Sequence, residues 1–91
     1  TSLKNEMKFQ ENSIYEIENY INNFNDFFNN KDFDGMTKEY NKIQDKLEKV
    51  IPLENIMREI SRTEIVYNLI KNNGNNFNLS EGEIEFIKKI N

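Results

Sequence analysis

The chain has no His, Cys, Trp or Ala, one Pro and three Gly in 91 residues. Each absence removes a class of chemistry. Without Cys or His there are no thiol nucleophiles, disulfides, structural zinc sites or imidazole acid–base groups. Any metal site would have to be built from carboxylates alone. No apolar run approaches the roughly 18–20 residues that span a bilayer, and no signal-peptide pattern opens the sequence. The first residue is Thr, so the expectation is a processed chain or an excised fragment. Sixteen acidic residues against twelve basic ones give a net charge of −4. This balance argues against direct nucleic-acid binding, which needs a basic face. The length suits one small domain.

Asn is abundant, with 17 copies, and Ile has 12. Asn interleaved with apolar residues at regular spacing reads as filler at exposed positions. Only Asn72 to Asn78 looks like a low-complexity patch. Asn is a poor helix former, so helicity here has to come from packing.

The apolar spacing is helical throughout. Ile14, Ile17, Ile21, Phe24 and Phe28 recur at steps of three and four, which predicts a first helix of about four turns. Ser13 is its expected N-cap, because Glu16 stands where a capping box needs it. Residues 1–12 form an N-terminal extension that either lengthens this helix or lies across it. Asn29 to Gly35 reads as a loop, and Asp32 or Asp34 can cap the next helix. Met36, Tyr40, Ile43, Leu47 and Val50 mark a second helix, which Pro52 is expected to end. A short third helix is expected over Leu53, Ile56, Met57 and Ile60. Ser61 to Glu64 then resembles a capping box opening a fourth helix, which Gly74 stops. Ser80 to Glu83 is a third such box, leading a last helix with Ile84, Ile87 and Ile90 on one side. The expected fold is all-α, a compact right-packed bundle of four to five short helices forming two hairpins.

Three groups of residues invite a functional reading. Asp32 and Asp34, and the alternating Glu81, Glu83 and Glu85, could pair as metal ligands or acid–base groups. Neither set has EF-hand spacing, and helix capping accounts for both. Lys38, Lys42, Lys46 and Lys49 form a ridge on the second helix, but interleaved acids make it a mixed, ion-paired face. Phe33 and Phe77 fall outside the apolar stripes, in expected loops. Each is either a plug for the bundle end or an exposed anchor for a partner. No residue constellation supports an enzyme or implies a cofactor.

Three stretches together resemble a known family. They are Asp32-Phe33-Asp34 with the stripe through Leu47, the helix Thr63 to Lys71, and Phe77-Asn78-Leu79-Ser80. In this order, over residues 14–91, they are similar to the N-terminal domain family of transcription elongation factor S-II. Within it they look like the integrase-binding domains of lens epithelium-derived growth factor and its PWWP-domain relatives. Lys31 stands where that branch has Ile. The resemblance implies that residues 13–91 are a non-enzymatic adaptor, a peptide-docking domain of a nuclear protein tied to transcription elongation or chromatin. Its partners would be short disordered motifs of other nuclear proteins, with no direct nucleic-acid or membrane contact, and the domain itself a monomer. The implied peptide-binding residues are Lys31, Asp32, Phe33, Phe77 and Leu79. Phe77 and Leu79 would form an apolar wall, Asp32 would accept ligand hydrogen bonds, and Phe33 would support the first loop. The alternative is a structural or oligomerising helical domain unrelated to transcription, suggested by near-heptad spacing in the first two helices.

Overall fold

The computed structural model describes residues 2–72 and 80–89, with side chains from Met7 onward. The described residues form four helices: α1 (Ser2–Asn29), α2 (Phe33–Leu47), α3 (Glu54–Asn72) and α4 (Glu81–Lys89). The molecule is an all-α bundle, elongated to 52 × 22 × 19 Å. Its long axis follows α1, whose 28 residues run for about 42 Å.

α1 departs from the expected start at Ser13. No Gly or Pro occurs before Gly35, so nothing stops the helix from running back through residues 2–12. Ser13 is not a cap. It sits inside the helix at 2% exposure, where a small side chain allows close packing. The stripe Ile17, Ile21, Phe24 and Phe28 is buried as its spacing predicts.

A tight turn joins α1 to α2. Lys31 has φ of 59°, in the left-handed region. Its N–H donates to the Phe28 carbonyl at 3.0 Å, and the Asp32 N–H donates to the Phe27 carbonyl at 2.8 Å. These are the two bonds of a Schellman motif, here built without glycine. Asp32 then caps α2, its Oδ1 accepting the Gly35 N–H at 3.1 Å. Gly35 is required for closeness. A Cβ there would lie 2.6 Å from Cγ of Phe27, so the two helices meet with a ring against bare backbone.

The helices run antiparallel in a fixed register. Phe27 lies on Gly35, Tyr20 sits 5.6 Å beneath the Lys42 ammonium, and Glu16 pairs with Lys46 at 2.7 Å. α2 ends at Leu47, before Pro52 can act. The Lys49 N–H closes a turn onto the Lys46 carbonyl, and Val50 drops into the core. Residues 51–53 then carry Pro52 to the start of α3.

The expected break at Ser61 is absent, so the short third helix and the fourth are one helix, α3. Ile56, Ile60, Thr63, Tyr67 and Ile70 form one unbroken stripe, with Thr63 in an apolar position. Thr63 fits because its hydroxyl donates to the Glu59 carbonyl at 2.9 Å. Glu64 does not complete a capping box. It accepts from Gln44 Nε2 on α2 at 3.0 Å. At α4 the capping box does form: the Glu83 N–H donates to Ser80 Oγ at 3.2 Å, and Ser80 Oγ donates to Glu83 Oε1 at 3.1 Å. Arg62 Nε donates to the Lys88 carbonyl, fastening α4 to α3. Gly74 lies outside the described residues.

The core has two parts strung along α1. An isoleucine cluster joins Ile17, Ile21, Ile43, Val50, Ile56 and Ile60. An aromatic cluster gathers Phe24, Phe28, Met36, Val66, Tyr67, Ile70 and Ile87. The aromatic part lies at the end that bears the α1–α2 turn.

Candidate peptide-docking site

The turn brings Lys31, Asp32 and Phe33 together at the aromatic end. Lys31 and Asp32 are exposed. Asp32 commits Oδ1 to the helix cap. Phe33 is the first residue of α2 and not a loop residue, and it is half-buried. Its ring stacks on Tyr67 of α3, with centroids 5.8 Å apart and planes within 5°. Tyr67 in turn stacks on Tyr40 at 4.2 Å. Lys71 Nζ lies 5.9 Å from the Tyr67 ring, a cation–π contact at the same end. Two rings of α2 thus hold one ring of α3, and the turn is fixed to α3 through Phe33. Phe77 and Leu79, the expected apolar wall, lie outside the described residues.

The stack also tunes Tyr40. Burial raises its pKa above the ordinary 10.0, and the charges of Glu64 and Tyr67 add in the same direction. The hydroxyl therefore keeps its proton to higher pH than an ordinary tyrosine does.

Several of the other candidate groups have structural roles. Lys42, Lys46 and Lys49 pair with Glu39, Glu16 and Asp45. The hydrogen bond that Lys46 donates to Glu16 holds its ammonium above its usual pKa. Glu83 serves the α4 cap, while Glu81 and Glu85 are exposed. Among the described residues no three carboxylates converge to hold a metal ion, and no helix is long and apolar enough to cross a membrane.

Sequence reasoning missed three features. The Tyr40–Tyr67 pairing needed the α2–α3 geometry, which spacing within one helix does not contain. Glu39 is only 6% exposed, and although its Oε1 accepts from Lys42, its Oε2 has no partner. Its position three residues after Met36 and four before Ile43 was the available signal. Finally, Met7, Phe9, Tyr15, Ile51, Leu53 and Phe86 are all well exposed. No family model, curated protein or solved structure matches the chain.

Proposed function

We propose that the chain is a non-enzymatic adaptor domain that docks short linear motifs of transcription or chromatin factors at its aromatic end. The observation that supports this best is the fixed turn. A Schellman motif, a helix cap and the Phe33–Tyr67 stack hold an exposed carboxylate and an exposed lysine beside aromatic surface. Preorganised groups of this kind bind a flexible peptide at low entropic cost. An apolar side chain of the motif would supply affinity, and Asp32 would set its register by accepting backbone N–H groups. The transcriptional and nuclear setting rests on the sequence resemblance alone.

The test is a binding screen with Phe-containing disordered peptides against wild type, Asp32→Asn and Phe77→Ala. Asn keeps the capping oxygen while removing the charge. Loss of binding in both variants, with unchanged thermal unfolding, supports the site. Absence of any binding peptide, or unfolding of Phe77→Ala, rejects it.

A further inference from the structure

The connection from α2 to α3 leaves a line of apolar side chains uncovered at the end of the bundle opposite the turn. Leu53 is 62% exposed, and it lines a shallow groove with Ile14 and Tyr15 of α1. Met57, whose N–H donates to the Leu53 carbonyl at 3.0 Å, follows one turn along α3 and is also exposed. The two rims of this line differ in charge. On the α3 side Glu54 is already neutralised by Arg58, at 3.1 Å. On the α1 side Glu11 and Glu18 line the groove to either side of Tyr15. Steps of four and three put all three residues on one face of α1, the two acidic positions about 10 Å apart along the axis. Neither carboxylate has an ion-pair or hydrogen-bond partner among the described residues. Lys46 is taken by Glu16, and Lys8, exposed one turn below Glu11, forms no ion pair with it. The Tyr15 ring, 71% exposed, thus stands between two free negative charges.

We propose that this groove docks an arginine-bearing apolar segment of another protein, with the guanidinium on the Tyr15 ring between Glu11 and Glu18. The aliphatic neighbours of that arginine lie along Ile14, Leu53 and Met57. Charge complementarity selects this occupant. An apolar line by itself would suit a membrane surface, a second copy or a peptide. Two uncompensated carboxylates on its rim repel anionic lipid headgroups and nucleic-acid phosphates, and they attract a cation. A second copy has no free arginine to offer, because the chain's two arginines already have partners: Arg58 pairs with Glu54, and Arg62 donates to the Lys88 carbonyl. Arginine fits better than lysine here. Its planar cation stacks on an aromatic face while its edge N–H groups remain available to carboxylates on either side. The charge asymmetry of the rims also orients the segment, cation towards α1 and apolar residues towards α3. This groove lies away from the turn and does not depend on peptide docking there.

An NMR titration of the isotope-labelled whole chain tests the groove. The probe is acetyl-Ser-Leu-Arg-Leu-Ser-amide, compared with the same peptide carrying lysine, citrulline or glutamate in place of arginine. The arginine peptide should shift the amides of residues 11–18 and 53–57 and lose affinity as salt is added. Lysine should bind more weakly, and neutral citrulline and glutamate should not bind. The double variant Glu11→Gln, Glu18→Gln should weaken the arginine peptide at least tenfold. Tyr15→Leu, which keeps an apolar side chain and loses the ring, should also weaken it. All three positions are exposed, so the circular-dichroism spectrum should not change. No shift with the arginine peptide, shifts confined to the turn, equal binding of citrulline, or full binding by the double variant would overturn the proposal. Co-sedimentation of the chain with phosphatidylserine vesicles would overturn it in favour of a membrane surface.

Discussion

The ring of Tyr40 lies 4.2 Å from the ring of Tyr67, with planes 11° apart. Because burial raises the Tyr40 pKa, the neutral phenol is favoured in the folded chain. The unfolded chain therefore releases that proton first as pH rises. The stabilisation is complete below pH 10.0, the ordinary tyrosine value, and is lost as pH climbs through the higher folded value. Tyr40→Phe should remove this part of the alkaline loss. Urea titrations of both proteins on either side of the tyrosine range check the sign.

The turn makes a graded prediction at Asp32. Asp32→Ala removes the acceptor for the Gly35 N–H and should cost about 1 kcal/mol, whereas Asp32→Asn should cost little. Thermal unfolding of the two variants separates capping from charge.

Lys31 adopts the left-handed conformation with a full side chain. Lys31→Gly should raise stability by roughly 1 kcal/mol, as the Cβ strain at that position disappears. A rise in the denaturant midpoint with unchanged slope would register it.

Glu39 occupies a core position with one carboxylate oxygen unsatisfied. Glu39→Met has a similar shape and no polar atom to desolvate. It should be neutral or stabilising, by up to about 2 kcal/mol, in chemical denaturation.

Ser61 distinguishes a continuous α3 from two shorter helices. A helix boundary would tolerate Ser61→Pro. The unbroken helix requires a loss of about 3 kcal/mol or more, measured by thermal or urea unfolding.

These variants also mark where the sequence was legible. The α1–α2 hairpin and the Ser80 cap follow from local patterns: stripes at helical spacing, an Asp before a helix, and Ser and Glu at capping distance. The misread segments carried the same local patterns. Ser13 with Glu16, and Ser61 to Glu64, have capping-box residues, yet each lies within a helix. A capping box acts only where the preceding chain leaves the helix, and burial decides that. Thr63 illustrates the competition: its hydroxyl bonds its own helix, freeing the residue to fill an apolar stripe. Of the expected site, Lys31, Asp32 and Phe33 could be placed at one turn because they are adjacent in sequence. The Phe33–Tyr67 stack could not, since it joins helices far apart in the chain.

The unbroken run of α1 gives the molecule a fixed measure. Met7 and Asn29 stand on one helix about 33 Å apart, a separation that no side-chain rearrangement can alter. The helix thus sets the α1–α2 turn and the far side of the bundle at a constant span, so a shift at one end can reach the other only as movement of the whole rod.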